Sequence, residues 1–362
     1  GRGLSYHSPG WMRFRHMSPV SQGLPGAVWA FAETPDDQVW MGGRDGVTRF
    51  DPEEEGLRSI PLGPAASSGE VTALLSQGNG SVWAAVYGYG LVEISAGKVR
   101  SVFRPEANAR GLPSASILTL ASAADGTLLA GTTDAGIMAI DPASGASHTI
   151  PLQVSPPLLT VHDLQVSADG VLFAAVEAPA LFEIDPASGR SVRHALPTGS
   201  PSSPSAVLSL WQSGDTIWLA TRGAGVFRHD TVTGETEAVG SAAGYPRAAR
   251  RGTPNGRDRA LGGAGAVAPE TAYAAALVGE DAAQVLLVPT PEGVLVAGER
   301  WSVRYTEADG LPASECNARA LLVASDGSVY VGTVAGAVRF SPLDLEPSDY
   351  AQHLLQLASR LR

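Results

Sequence analysis

Short apolar runs recur along the chain at nearly equal intervals. Seven runs carry a large apolar residue at their second position, and these positions lie 43 to 46 residues apart except for one interval of 68. The positions are Trp40, Trp83, Leu129, Phe173, Trp218, Leu286 and Tyr330. A repeat of about 40–50 residues that contains several short strands is typical of one propeller blade, so the pattern predicts seven blades.

Turn-forming dipeptides separate the apolar runs and divide each repeat into four strands. Asp125-Gly126, Asp169-Gly170 and Asp326-Gly327 each precede a large apolar position by two or three residues. Asp-Gly between apolar runs predicts a tight hairpin, because both central residues of a type I′ turn need a positive φ. In the first repeat the predicted strands cover residues 27–33, 38–43, 46–51 and 57–61.

The last repeat contains only three predicted strands, at 317–325, 328–333 and 337–341. A spare strand pattern, Trp11-Met12-Arg13-Phe14-Arg15-His16, stands at the beginning of the chain. We therefore expect the N-terminal strand to complete blade seven, which closes the ring and removes an open sheet edge. The predicted fold is an all-β, seven-bladed β-propeller of four-stranded blades over residues 11–342.

Two segments fall outside the repeats. Residues 241–268, between blades five and six, are basic and carry Arg247, Arg250, Arg251, Arg257 and Arg259. Their composition predicts either a solvated, mobile insertion or an arm that docks an acidic protein partner or membrane headgroups. Residues 343–362 leave the strand pattern, and Pro347-Ser348-Asp349 predicts the start of a short C-terminal helix.

Composition narrows the possible functions. The 362 residues would ordinarily suggest two domains, but large all-β folds often form one. The net charge of −11 disfavours nucleic acid as a partner. The single cysteine, Cys316, excludes an internal disulfide. No apolar stretch reaches 18 residues, so we expect no transmembrane segment in this chain and association with a membrane only through a partner.

The repeats resemble those of the two-component-regulator propeller family. The family's blade pattern is matched by Gly111-Leu112-Pro113, Asp125-Gly126, Leu129-Ala130-Gly131-Thr132 and Asp141-Pro142, and blade seven repeats most of it. In that family the propellers are usually extracytoplasmic sensor regions of bacterial histidine kinases or diguanylate cyclases. The resemblance therefore implies a sensor module on the periplasmic or extracellular face of a bacterium.

Ligands of propellers usually bind at one mouth of the ring, where the loops before the innermost strands meet those after the second strands. We expect these loops to carry the candidate ligand-binding residues, which are Arg44, Tyr87, Tyr89, His162, Arg222 and Glu315. Two tyrosines beside flexible glycines could stack on a sugar or peptide ring, and the arginines Arg44 and Arg222 could bind a carboxylate. The alternatives are that the tyrosines cap blade two and that the arginines pair with neighbouring acids.

No catalytic fingerprint appears in the sequence, so we expect a binding module without a cofactor, metal site or catalytic residues. Its ligand would be a small molecule or glycan at the mouth. A second hypothesis is an accessory subunit of a larger complex that binds a protein through the insertion and tail. A third is a lyase or hydrolase, because some seven-bladed lyases use His, Glu and magnesium near the mouth. That third hypothesis predicts an acid or a metal within about 3 Å of His162.

Overall fold

The computed structural model describes thirteen segments of the chain. They are residues 14–17, 26–44, 46–63, 66, 69–105, 111–150, 160–197, 203–239, 250–252, 258–261, 271–279, 284–297 and 301–342. Within these residues the chain forms seven antiparallel sheets. The predicted C-terminal helix and the residues before Phe14 lie outside the described segments.

Each sheet is a blade whose strands follow one another in sequence from the ring axis outwards. Blades six and seven are the exceptions, because the two outermost strands of blade six precede its inner strands in sequence and the outer strand of blade seven comes from the N-terminus. The strands, numbered along the chain, are β1 (Arg15–Met17); β2 (Val28–Glu33), β3 (Val39–Gly43), β4 (Gly46–Asp51) and β5 (Gly56–Ile60) in blade one; β6 (Val71–Ser76), β7 (Val82–Val86), β8 (Gly90–Ser95) and β9 (Lys98–Phe103) in blade two; β10 (Ile117–Ser122), β11 (Leu128–Thr132), β12 (Ile137–Ile140) and β13 (Ser147–Ile150) in blade three; β14 (Val161–Val166), β15 (Leu172–Val176), β16 (Ala180–Ile184) and β17 (Ser191–Ala195) in blade four; β18 (Ala206–Ser213), β19 (Thr216–Arg222), β20 (Gly225–Asp230) and β21 (Thr236–Val239) in blade five; β22 (Arg250–Gly252), β23 (Asp258–Leu261), β24 (Ala276–Val278), β25 (Val285–Thr290), β26 (Gly293–Ala297) and β27 (Trp301–Tyr305) in blade six; and β28 (Cys316–Val323), β29 (Val329–Thr333) and β30 (Gly336–Phe340) in blade seven.

Neighbouring blades approach closely at the second strand. A Cβ added to Gly42 would lie 2.5 Å from Cγ1 of Val71 in the next blade, and one added to Gly131 would lie 2.8 Å from Cγ1 of Val161. Both distances are far shorter than ordinary carbon contacts. Glycine is therefore required at these two positions, because the next blade occupies the space that a side chain would fill, whereas four other blades have alanine or valine there.

The N-terminal strand closes the ring, as the sequence predicts. β1 pairs with β30, with Arg15 opposite Arg339 and Met17 opposite Ala337. Phe14 is buried just before this strand, and its ring meets the rings of Tyr305 and Phe340 edge-on, with centroids 5.3 Å apart in both cases. These contacts join the first described residues of the chain to blades six and seven.

Blade six departs from the four-stranded pattern. Two strands from the inserted segment, β22 and β23, pair with each other, and β23 also pairs with the outer strand β27. The sheet therefore has six strands. For Arg250, Arg251 and Arg259 the structure describes the backbone alone, and Arg247 and Arg257 lie outside the described segments. The basic character of the insertion as a docking arm thus stays a prediction.

The innermost strands carry a bulge at a common position. Blades one to five each have one extra residue there, for example Leu118 between Ile117 and Thr119. In blade seven, three extra residues separate the pairings of Cys316 and Leu321 with β29. The last of the three, Arg319, has a φ of 63°, which residues other than glycine rarely adopt.

No helix in the described segments is both long and apolar enough to cross a bilayer.

We predict that Gly332→Ala destabilises the ring at its closure. A Cβ at this position would lie 2.3 Å from the backbone oxygen of Val28 in blade one and 2.8 Å from Cβ of Ala320. The expected loss is about 1–3 kcal/mol of unfolding free energy, because backbone atoms must shift. Urea denaturation followed by tryptophan fluorescence measures it.

Gly78→Ala is the matched control, since a Cβ there has no neighbour within 4 Å and the residue does not need a positive φ. Its free energy of unfolding should stay within about 1 kcal/mol of the wild-type value or rise slightly. Equal free energies of unfolding for the two variants would contradict the close approach of blades seven and one.

Candidate functional site

One face of the ring, here called the mouth, collects the loops that precede the innermost strands and those that follow the second strands. Backbone hydrogen bonds join these loops within a blade: Glu177 N–H donates to Thr160 O at 3.2 Å, and Val334 N–H donates to Glu315 O at 3.1 Å. The equivalent bond in blade two runs from Tyr87. The predicted convergence of these two sets of loops is therefore present.

Three predicted or neighbouring mouth residues form a linked group, the mouth cluster of His162, Glu177 and Arg222. His162 Nε2 lies 2.6 Å from Oε2 of Glu177. The other carboxylate oxygen of Glu177 accepts a hydrogen bond from Arg222, on blade five. Glu177 and Arg222 expose 43% and 45% of their side chains, whereas His162 exposes 15%. The cluster thus joins two blades and presents both a guanidinium and a carboxylate to solvent.

The mouth cluster changes the pKa of two of its members. Burial lowers the pKa of His162, against the opposing effects of the hydrogen bond and charge of Glu177. For Glu177, burial alone would raise the pKa, but hydrogen bonds from His162 and Arg222 outweigh it and lower the pKa. At neutral pH the cluster therefore carries a neutral imidazole, a carboxylate and a guanidinium.

Tyr273 extends the polar surface of the mouth into blade six. It is partly buried, and its backbone oxygen accepts a hydrogen bond from Arg319 N–H at 3.0 Å. Burial raises the pKa of Tyr273, and the nearby carboxylates of Glu315 and Glu292 raise it further. Glu315, a predicted ligand residue, is exposed and lies in this group on blade seven.

The remaining predicted mouth residues lie on blades one and two. Arg44 faces Glu70 across 3.7 Å, and both side chains are well exposed, so this ion pair contributes little to stability. Tyr89 accepts a hydrogen bond from Arg104, whose guanidinium also covers the tyrosine ring at 4.1 Å from its centroid. Tyr87 exposes 41% of its surface. Of the two tyrosines, Tyr87 is the one left open for stacking.

Cys316 has no chemical role at the mouth. It is buried at the start of β28, and burial raises the pKa of its thiol to about 12. The thiolate that acts as a nucleophile or metal ligand is therefore not formed at neutral pH. Cys316 therefore packs as a small buried side chain.

An axial channel runs between the innermost strands beneath the mouth. It contains a cavity of about 170 Å³ with a mixed lining, in which Leu118, Leu120, Leu210 and Leu321 lie beside Thr119, Asp163 and Ser209. Arg319 enters this cavity from the wide bulge of blade seven. Its Nη1 donates to the backbone oxygens of Leu118 and of His162, each at 2.5 Å. The guanidinium therefore crosses the axis from blade seven to blades three and four.

The sequence analysis did not single out Tyr273 or Arg319. Tyr273 precedes a three-residue strand in the repeat whose spacing the insertion disturbs, so its place at the mouth has no clear sequence signal. Arg319 does have one. Sixteen positions separate Gly310 from Asp326 in blade seven, against fourteen from Gly111 to Asp125 in blade three. The two additional residues are the extra length of the bulge.

The donor set for a metal is incomplete at the mouth. Among the residues that the structure describes, no three His, Cys, Asp or Glu side chains converge on one point. His162 does have the acid neighbour that the lyase hypothesis requires, but that carboxylate is also bound to Arg222.

Comparisons with known proteins support the fold at low sequence identity. No protein-family model matches the chain, and no curated protein matches it in sequence. The fold is similar to that of the extracellular domain of BT4673 from B. thetaiotaomicron, described as a hybrid two-component system, with 16% identity and a TM-score of 0.67. The match covers 91% of this chain but only 39% of that one. This chain therefore spans about two-fifths of that neighbour's length.

Two other solved structures show that the same fold serves different roles. A streptogramin B lyase is 14% identical with a TM-score of 0.60, and the match covers 92% of this chain and 99% of the lyase. YCF48 bound to D1 peptide is 14% identical with a TM-score of 0.58, covering 93% and 98%. At these identities the likeness shows the propeller fold alone.

We predict that Glu177→Gln lowers the pKa of His162 further below 6.5. The substitution removes the charge that favours the imidazolium and leaves burial and the nearby arginines, which disfavour it. NMR titration of the histidine ring resonances measures the shift. Glu183→Gln is the matched control, because Glu183 contacts His194 instead. A raised or unchanged midpoint in Glu177→Gln would contradict the assigned cluster.

The same pKa changes predict that the wild-type protein loses stability as the pH falls below 6.5. The unfolded chain binds a proton at His162 more readily than the folded protein does, so acid favours unfolding until the folded-state pKa is passed. Glu177 adds a loss at lower pH, as the pH falls from its ordinary value of 4.5 through its lowered pKa. His162→Gln should reduce the first of these two phases in thermal melts without abolishing it, because burial also lowers the pKa of His229.

Proposed function

We propose that this propeller is a non-enzymatic ligand-sensing module of a bacterial signalling system, and that its ligand binds at the mouth cluster. The observation that carries the proposal is the ion-paired group of His162, Glu177 and Arg222, which joins blades four and five and stays open to solvent. An exposed ion pair adds little stability of its own. A ligand can therefore exchange with it at small energetic cost.

The chemistry of the mouth favours a small polar ligand such as a sugar or a short peptide. The guanidinium of Arg222 donates hydrogen bonds, and the carboxylates of Glu177 and Glu315 accept them. Tyr87 offers an exposed aromatic face on the other side of the ring. Hydroxyl and amide groups can use donors and acceptors of both kinds, whereas a purely apolar ligand would use neither.

A signalling role and an extracytoplasmic location rest on two supports. The repeats resemble those of sensor propellers, and the fold is shared with the extracellular domain of a two-component system. In such proteins a propeller forms part of a longer chain, which agrees with the match covering 39% of that neighbour.

The runner-up function is an accessory subunit of a larger complex. The six-stranded blade six favours it, because β22 places an additional strand edge at the ring's outer rim. Such an edge can pair with a strand of another protein. YCF48, one of the proteins with this fold, is known in a complex with a peptide. The third hypothesis, a metal-assisted lyase, has only the His162–Glu177 pair in its support.

The sensor proposal predicts that a polar ligand stabilises the protein and that the mouth cluster is required. Thermal-shift screening against mono- and oligosaccharides, amino acids and short peptides identifies the ligand, and calorimetric titration gives its affinity. Arg222→Ala should weaken binding by about tenfold or more, because a charge-assisted hydrogen bond contributes on the order of 1.5–3 kcal/mol. Arg190→Ala, an exposed arginine in a β16–β17 turn, should bind as wild type does.

Stabilisation that persists in Arg222→Ala would contradict the proposed site. If no compound in the screen stabilises the protein, and replacement of residues 250–261 by a glycine-serine linker releases a bound protein partner, the subunit hypothesis replaces the sensor hypothesis.

A further inference from the structure

Within the described segments, only one of the three guanidinium nitrogens of Arg319 donates hydrogen bonds. Nη1 donates both of its protons, one to Leu118 O and one to His162 O. Nε and Nη2 make no hydrogen bond to any residue in the described segments. These two nitrogens form the side of a guanidinium that fits both oxygens of a carboxylate at once. The unused edge is therefore the one best shaped for an oxyanion.

Asp163, whose carboxylate also lines the channel, makes no hydrogen bond to Arg319. Asp163 is the acid that acts on the charge of Arg319, but its oxygens already accept four hydrogen bonds. Oδ1 accepts from Thr119 Oγ1 at 2.9 Å and from the backbone of Leu164 at 3.0 Å, and Oδ2 accepts from Ser209 at 3.1 Å and the backbone of Leu210 at 2.9 Å. Asp163 thus holds blades three, four and five together, and Arg319 keeps its positive charge without a direct acidic partner among the described residues.

The position of this cation is built into the backbone. Arg319 adopts a φ of 63° at the end of a bulge that is longer in blade seven than in blades one to five. Asn317, in the same bulge, fixes it to blade one by donating to Val28 O at 2.8 Å. A left-handed backbone at an arginine costs on the order of 1 kcal/mol or more, which the surroundings must offset. Burial also lowers the pKa of Arg319, so keeping this side chain charged costs additional free energy.

The walls of the channel restrict the size and kind of anion. The cavity of about 170 Å³ accommodates a few heavy atoms, and its wall combines leucine and alanine side chains with the polar groups of Thr119, Asp163 and Ser209. Phosphate or sulfate would place oxygens against the leucines as well as against Arg319, and leucine side chains donate no hydrogen bond. A short aliphatic carboxylate has one charged end for Arg319 and an apolar end for the leucines.

We propose that the axial channel is a binding site for a small aliphatic monocarboxylate, held by the Nε and Nη2 edge of Arg319. This inference goes beyond the ligand site at the mouth and does not depend on it. The two sites are connected through His162, whose side chain belongs to the mouth cluster and whose backbone oxygen contacts Arg319.

Titration of the full chain with propionate, at fixed ionic strength, tests the proposal. Propionamide is the control ligand, because it has the same shape without the charge. Calorimetry should show saturable binding of propionate and none of propionamide, with a dissociation constant in the millimolar range expected of so small a ligand. The Nε–H signal of Arg319 in ¹⁵N NMR should shift over the same concentrations.

The matched variants are Arg319→Lys and Arg190→Lys, both of which keep the charge. Arg319→Lys removes the bidentate edge and should weaken propionate binding by about tenfold or more. Arg190→Lys, on an exposed turn, should bind as wild type does. Near-ultraviolet circular dichroism shows whether each variant is folded. If Arg319→Lys does not fold, the response of the wild-type Nε–H signal of Arg319 to propionate tests the proposal instead.

Three results would overturn the proposal. Propionamide could bind as well as propionate, Arg319→Lys could bind as well as wild type, or the Nε–H signal of Arg319 could fail to respond. Equal binding of phosphate, with displacement of propionate, would overturn the assignment to an aliphatic carboxylate.

Discussion

The close approach of each blade to the next is the constraint on which this structure depends. The second strand of most blades places glycine or alanine where the innermost strand of the following blade passes, as at Gly42 against Val71. The large residue of the same strand, such as Trp83 or Tyr330, is buried against its neighbours. A small and a large side chain therefore alternate at each junction, and the blades interdigitate at the density of a protein interior.

Ring closure transfers this rigidity to the functional loops. Because β1 completes blade seven, the joint between the chain's beginning and its last blade is held by backbone pairing and by the aromatic contacts of Phe14. The ring then positions loops from different blades against one another without help from those loops. The mouth cluster and the unpaired edge of Arg319 are both possible for this reason, since the blades are held together mainly by apolar packing and the polar groups only add to it.

The sequence predicted the ring far better than the site. Turns such as Asp125-Gly126 and the spacing of the apolar runs depend on local conformation and on burial, which one blade repeats from another. His162 and Arg222 lie at strand ends whose position the repeat fixes, and their role as ligand-binding residues stays a prediction. The ion pair of Glu177 with Arg222 could not be predicted from spacing, since it joins two blades. Arg319 reaches the axis only through a two-residue extension of one strand, and the direction of that bulge is a property of the folded ring.

A crystal structure of the protein grown in propionate at neutral pH tests the central claim most directly, namely that the closed ring holds an open guanidinium edge at its axis. The account predicts a bound carboxylate with its two oxygens about 2.7–2.9 Å from Nε and Nη2 of Arg319 and its alkyl end against Leu118 and Leu210. It would be contradicted by an Arg319 whose Nε and Nη2 donate to groups of the protein itself while the channel contains no carboxylate.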